Sequence, residues 1–250
     1  MIKDKLKLGE DVYGVWCVIP SPEVINIISK SGLDFVIVDM EHGSVDYTTA
    51  QRMVMSAHSE NCDAIIRTPR NDESNILKSL DIGSDGVIIP HVNSIEDVEK
   101  CISYSKYPPV GNRGYTPYTR SGGYSVKDGY REDVNKSSFV GVIIESKEGI
   151  DNIESIVSNE YVDMVYIGTY DISADLGCSV GDEKVLNELK RCSKIVRDVG
   201  KSVGCLFHSK EELNFFKSIG INLLVYSVDS SILYNGCLLY TSDAADDLTR

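Results

Sequence analysis

The chain has 250 residues, 42% of them apolar, with seven cysteines and a formal net charge of −13. No apolar run is long enough to span a bilayer, and "MIKDKLKLGEDVYG" lacks the apolar core of a leader, which predicts a soluble, cytoplasmic protein. The negative charge disfavours nucleic acid and anionic membrane as partners but leaves room for a small anion held by a local arginine or metal. The cysteines are scattered, with no CxxC pair, so they predict neither a zinc site nor a disulfide framework.

Along the chain, short β-branched runs alternate with longer amphipathic stretches. The predicted strands are "YGVWCVI" (13–19), "DFVIVDM" (34–40), "AIIRTP" (64–69), "GVIIPH" (86–91), "FVGVIIE" (139–145), "DMVYIG" (163–168), "SVGCLF" (202–207) and "NLLVYSV" (222–228). They are apolar nearly throughout, as parallel strands buried on both faces are. The helix signals are equally regular. "SPEVINIISKSG" opens on an N-cap serine and a first-turn proline and closes on Gly32. "SIEDVEKCISYSK" carries a capping-box pattern from Ser94 to Asp97. "SKEGIDNIESIVS", "EKVLNELKRCSKIVRDVG" and "SKEELNFFKSIG" follow the same scheme, and a helix-stopping glycine recurs a few residues before a strand in "GLDFVIVD", "IGSDGVIIP" and "IGINLLVYS". Eight strands and seven or more helices predict an α/β fold of the (β/α)8 TIM-barrel type, with an open doubly wound sheet as the alternative.

Two segments break this rhythm. Residues 107–135, "YPPVGNRGYTPYTRSGGYSVKDGYREDVN", are predicted to form a long loop, which in a compact domain is either functional or a solvated excursion. After the eighth strand "SSILYNG" begins a helix, and then "CLLYTSDAADDLTR" follows. Read back into codons, Cys237–Asp246 resembles a transposase adapter used in sequencing libraries. The expectation is one barrel domain over 1–236 and a non-native tail over 237–250, with the final helix truncated or replaced. The alternative is an ordinary polar C-terminus.

In a barrel, the C-terminal ends of the strands converge on one face, where such folds place their sites. Seven titratable residues fall there: Asp39, Glu41, His42, Arg67, His91, Glu145 and Asp171. Two carboxylates from neighbouring strands, Glu145 and Asp171, suit Mg²⁺ or Mn²⁺, which keep waters and leave positions for substrate oxygens. Arg67 offers a fixed fork for a carboxylate or keto oxygen, or else a structural salt bridge to a rim acid. His42 has the titration range for proton transfer, or is an ordinary loop histidine. Together they fit the binding of a 2-oxo acid, stabilisation of its enolate and movement of one proton.

"DFVIVDMEHG", "RTPRNDESNILKSLDIGSDGVIIPHV", "YPPVGNRG", "GVIIESKEGIDNIESI" and "DMVYIGTYDISADLG" appear in order and resemble the HpcH/HpaI aldolase family, the class II pyruvate aldolases of the phosphoenolpyruvate/pyruvate barrel superfamily. The resemblance runs from about residue 10 to about residue 232. It implies a (β/α)8 barrel and divalent-metal-dependent, reversible cleavage of 4-hydroxy-2-oxo acids to pyruvate, or a close 2-oxo acid, and an aldehyde. By resemblance, Glu145 and Asp171 match the family's metal carboxylates, Arg67 the arginine on the pyruvate oxygens and His42 the proton-transfer histidine, with Asp39 beside it. Asp81 matches an aspartate that pairs with that histidine across a subunit boundary. The backbone N–H groups around Tyr170 and Asp171 match those that receive the substrate carboxylate, and Gly168 allows a close approach there. The resemblance also implies a homo-oligomer, hexameric in the family, in which neighbouring subunits commonly exchange the eighth helix.

This chain departs from the family in carrying Ile143 where many members have Gln, Thr169 where Pro is common, and His91 where Met or Gln is frequent; His91 is placed to tune the aldehyde pocket. Three alternatives stay open. One is a citrate-synthase-like or other carbon–carbon lyase or ligase using oxaloacetate on the same barrel. Another is a Schiff-base aldolase, for which only Lys147 lies near a strand end. The third is a truncated barrel without turnover. Glu41 has no assigned role.

Overall fold

A computed structural model describes residues 1–241. In chain order the first half contains α1 (Ile2–Lys7), β1 (Val12–Cys17), α2 (Pro22–Lys30), β2 (Phe35–Asp39), α3 (Tyr47–His58), β3 (Asp63–Arg67), α4 (Glu73–Asp81), β4 (Gly86–Ile89) and α5 (Ile95–Ser105). The second half contains α6 (Tyr130–Ser137), β5 (Phe139–Ile144), α7 (Lys147–Asp151), α8 (Ile153–Ile156), β6 (Met164–Ile167), α9 (Thr169–Asp175), α10 (Glu183–Asp198), β7 (Ser202–Phe207), α11 (Lys210–Ser218), β8 (Leu223–Val228) and α12 (Asp229–Leu238). All eight predicted strands form. They pair in parallel with their sequence neighbours and close, β8 on β1, into a barrel.

The predicted caps form as well. Ser21 accepts from the Val24 N–H at 3.2 Å and Ser94 from the Asp97 N–H at 3.2 Å. Ser146 and Ser209 cap α7 and α11 in the same way. The helix-stopping glycines 32, 83 and 220 have φ of +91°, +88° and +88°, which a side chain would strain.

Side-chain alternation divides the core. Phe35, Ile37, Ile65, Ile88, Phe139, Ile143, Met164 and Tyr166 fill the barrel interior, while Val36, Val38, Ile66, Val87, Val140, Val142 and Val165 face the helices. Both strand faces are therefore buried. Five of the seven free cysteines are buried too, as small apolar residues. The short helix α1, which periodicity did not single out, seats Ile2 and Leu6 in the interior cluster at the N-terminal end of the barrel.

At that end a device repeats four times. The residue just before β2, β4, β6 and β8 is Asp34, Asp85, Asp163 and Asn222. Each donates its backbone N–H to the second residue of the preceding strand (Tyr13, Ala64, Val140, Val203). Its side-chain oxygen accepts that same residue's N–H in return, at 2.8, 2.7, 2.9 and 3.2 Å. Each clasp extends a strand pair by one closed ring and pins its register.

The predicted loop 107–135 is shorter than expected, because α6 takes up its last residues. It folds against the N-terminal side, where Arg113 is buried, pairs with Asp81 at 2.7 Å and lies 4.6 Å from the Tyr107 ring centroid. None of its residues lines the cavity at the strand C-terminal ends. The eighth helix is present as α12. Asp229 is buried and accepts the Val18 and Ile19 N–H groups, both at 3.0 Å, but residues 232–240 are exposed. Of the expected non-native tail, residues 242–250 lie outside the described residues.

The clasps yield a stability test. Asp85→Ala strands the buried Ala64 N–H and is expected to lower unfolding free energy by about 1–3 kcal/mol. Asp85→Asn keeps an acceptor oxygen and should recover most of the loss, as measured by urea denaturation.

Candidate active site

The inward alternation continues past the apolar layer. Two residues beyond Ile37, Ile65, Ile143 and Tyr166 stand Asp39, Arg67, Glu145 and Gly168, at the mouth of the barrel. All four, with His42 and Asp171, line one cavity of ≈ 360 Å³. The predicted residues are thus brought together, with one exception. Asp81 ends α4, five residues before Gly86 opens β4, so in this parallel barrel it lies at the opposite end, on Arg113.

Arg67 is the centre of the mouth. It pairs in register with Asp39, and its Nε donates to Asp39 Oδ1 at 2.9 Å while Nη2 reaches Oδ2. Nη1 lies 3.0 Å from Glu41 Oε2, and the guanidinium carbon stands 4.5 Å over the Trp16 ring. Trp16 is itself held by Tyr166, whose hydroxyl accepts the indole N–H at 2.8 Å. Burial alone would lower the Arg67 pKa, but Asp39 and Glu41 outweigh it and the net shift is upward. The structural salt bridge, one of the two sequence alternatives, is present: Asp39 holds the Nε/Nη2 edge, which leaves the outer Nη hydrogens for a ligand.

Asp39 also accepts the backbone N–H groups of Glu41 at 2.9 Å and His42 at 3.2 Å, which folds the turn after β2. Its link to His42 is through the backbone. The His42 imidazole lines the cavity and makes no hydrogen bond to the described residues.

Glu41 and His91 are the residues whose part sequence reasoning missed. His91 has φ +56°, and its backbone N–H and Nδ1 both stand 2.7 Å from Glu145 Oε1. Its Nε2 is 2.9 Å from Glu41 Oε1. An unbroken chain Asp39–Arg67–Glu41–His91–Glu145 thus crosses the ends of β2 to β5. His91 does not line the cavity. The signal available in sequence was a non-glycine residue after Pro90 at a strand end, which does not announce a left-handed backbone.

Burial pushes the Glu145 carboxyl up. The backbone hydrogen bond and the charge of His91 pull it down, and the nearby Glu41 and Asp171 carboxylates push it up again, leaving it raised. A divalent cation would relieve that repulsion. Among the described residues no three His, Cys, Asp or Glu side chains gather to enclose a metal. A pair of carboxylates at an open cavity fits a hard ion that retains water and substrate oxygens, as Mg²⁺ and Mn²⁺ do, and does not fit closed zinc coordination. Gly168 has its own reason. A Cβ there would come 2.8 Å from Glu145 Cβ, so glycine makes room for Glu145 first.

Comparison with known proteins places the chain in a family. A family model described as HpcH/HpaI aldolase/citrate lyase matches residues 12–219. The chain is 32% identical over 164 residues to a 5-keto-4-deoxy-D-glucarate aldolase of Klebsiella pneumoniae, covering 66% of this chain and 64% of that enzyme. It is 27% identical to a pyruvate aldolase of Rhizobium etli, covering 94% and 93% of the two chains. Among solved structures it resembles the citrate synthase SbnG, with a TM-score of 0.90 and 27% identity over 100% of this chain and 99% of that one. No helix among the described residues is long and apolar enough to cross a membrane.

The Arg67–Asp39 pair gives the next test. Asp39 is 2% exposed, so Arg67→Met leaves a buried carboxylate unpaired and is expected to cost about 3–5 kcal/mol in urea unfolding. Adding Asp39→Asn should restore much of that loss, whereas additive losses would show that the pair is not coupled.

Proposed function

The chain belongs to the HpcH/HpaI aldolase/citrate lyase family, and we propose that it is a divalent-metal-dependent aldolase cleaving 4-hydroxy-2-oxo acids reversibly to pyruvate, or a close 2-oxo acid, and an aldehyde. Carbon–carbon lyase chemistry is common to the aldolases it resembles. The observation that carries the metal-dependent reading is the meeting of Glu145, Asp171, Arg67 and His42 in one cavity.

Glu145 and Asp171 would hold Mg²⁺ or Mn²⁺, which would supply Lewis acidity there; other divalent ions are compatible with the same donors. The remaining roles belong to the chain. Arg67, fixed by Asp39, Glu41 and Trp16, presents its outer Nη hydrogens to the oxygen that gains charge in the transition state. Backbone N–H groups of Tyr170 and Asp171, in the first turn of α9, lack intrahelical acceptors and receive the substrate carboxylate. During cleavage the His42 imidazole takes the 4-hydroxyl proton as the C3–C4 bond breaks, and the enolate left at C3 gains a proton from solvent to become pyruvate; in the reverse direction C3 gives up that proton and His42 returns one to the new hydroxyl. Asp39 positions Arg67 and the His42 backbone. Asp81 reaches a histidine of this kind only from a second copy, which makes a homo-oligomer part of the proposal.

A citrate-synthase-like carbon–carbon ligase using oxaloacetate is the second reading, supported by the likeness to SbnG, whose identity to this chain equals that of the pyruvate aldolase. The two separate by substrate: aldehyde-dependent consumption and release of pyruvate supports the first, and condensation on oxaloacetate alone supports the second.

Pyruvate release from a 4-hydroxy-2-oxo acid is expected to vanish in chelator and return with Mg²⁺ or Mn²⁺, and Glu145→Gln should abolish metal binding by calorimetry. Turnover that persists in chelator, or a lysine adduct trapped by borohydride, would sink the metal mechanism. His42→Ala should bind metal normally while kcat falls by about 10²–10⁴-fold. An unchanged kcat would remove His42 from proton transfer.

A further inference from the structure

We infer that His91 fixes Glu145 as a one-oxygen ligand and thereby biases the site toward small octahedral cations and against Ca²⁺. The inference rests on the metal role proposed for Glu145 and Asp171 and adds a positioning residue to it.

The geometry is specific. His91 directly follows Pro90 and β4 (Gly86–Ile89), and its φ of +56° is uncommon for a residue with a side chain. That turn aims its backbone N–H at Glu145 Oε1, and the ring adds Nδ1 to the same oxygen, each at 2.7 Å. The other ring nitrogen is held 2.9 Å from Glu41 Oε1. The side chain is 67% exposed, yet both of its nitrogens are tied to carboxylates. Glu41 in turn lies 3.0 Å from Arg67 Nη1, so the ring is braced against the same group that Asp39 fixes.

The consequence falls on Glu145. The backbone N–H donates to Oε1, and the ring Nδ1, 2.7 Å from the same oxygen, closes the remaining approach to it. Oε2 accepts no hydrogen bond from the described residues and stands on the Gly168 side of the cavity, 3.6 Å from the position a Cβ would take there. A carboxylate in this state offers one oxygen. Ca²⁺ takes six to eight oxygens and gains from two-oxygen carboxylates. Mg²⁺ demands near-ideal octahedral geometry and is satisfied by single oxygens and waters. Removing the ring uncovers Oε1, which lets Glu145 both shift and chelate with both oxygens. The first effect weakens binding of the small ions, and the second favours Ca²⁺. Partners of ligating carboxylates alter metal affinity by about 10–100-fold when removed.

The experiment is calorimetric titration of the full chain with Mg²⁺, Mn²⁺ and Ca²⁺, without substrate. His91→Gly keeps the left-handed backbone and its N–H while deleting the ring. It is expected to lower the Mg²⁺/Ca²⁺ affinity ratio by about tenfold. His91→Asn tolerates the same backbone and returns one side-chain donor, so it should recover part of the ratio, which a merely structural role would not require. A wild-type ratio in both variants, with binding still lost in Glu145→Gln, overturns the His91 inference alone. Binding that survives Glu145→Gln overturns both that inference and the metal site.

Discussion

Register is the constraint from which the rest of this molecule follows. A parallel strand shifted by one residue turns every side chain to its other face, and here that would exchange Asp39, Arg67 and Glu145 for their helix-facing neighbours. The four Asp/Asn clasps act at the N-terminal end of the barrel, far from the chemistry, on the pairs β1–β2, β3–β4, β5–β6 and β7–β8. Between them Phe35, Phe139, Met164 and Tyr166 fill the interior, where shape allows little slippage. The functional end of the barrel inherits its geometry from the other end.

At the mouth, charge rather than shape dominates. Four carboxylates (Asp39, Glu41, Glu145 and Asp171) face one guanidinium and one bridging histidine. Arg67 is fully committed to Asp39 along one edge and braced by Glu41 on another, so it behaves as a fixed dipole-like fixture more than a mobile clamp. The surplus negative charge lies on the Glu145–Asp171 side; burial first, and then the neighbouring carboxylates, push Glu145 up, and a divalent cation is the natural complement. The −13 net charge of the chain and the proposed cation site are thus separate matters: one concerns the surface, the other two carboxylates in a cavity.

The barrel was legible because its signals are local. β-branched runs, serine caps and glycine stops each specify their own segment, and closure follows from counting strands. The site was legible to the extent that strand parity carries it: Asp39, Arg67 and Glu145 continue an inward alternation that can be read residue by residue. His91 was not, because its backbone leaves the strand in the left-handed region and turns the side chain toward Glu145. Glu41 was unassigned because its meaning lies in Arg67 and His91, contributed by two other strands. The clasps are not announced in sequence: in "GLDF", "GSDG" and "GINL" the helix-stopping glycine is the local signal, and the polar residue acquires its meaning only from the neighbouring strand.

One pair of residues marks where a single chain stops being sufficient. The His42 imidazole has no hydrogen-bond partner among the described residues, and a general base gains from a group that fixes its tautomer and ring orientation. Asp81, the carboxylate that resemblance assigns to that task, stands at the opposite end of the barrel with Arg113. Within one copy no small motion joins them, since the length of the barrel lies between. Either His42 works without an orienting carboxylate, or a second copy brings its N-terminal face to this mouth. In the latter arrangement Arg113 is more than a loop anchor. Nearly buried and stacked on Tyr107, it holds Asp81 at the surface of that face, pre-set for a histidine that belongs to another molecule.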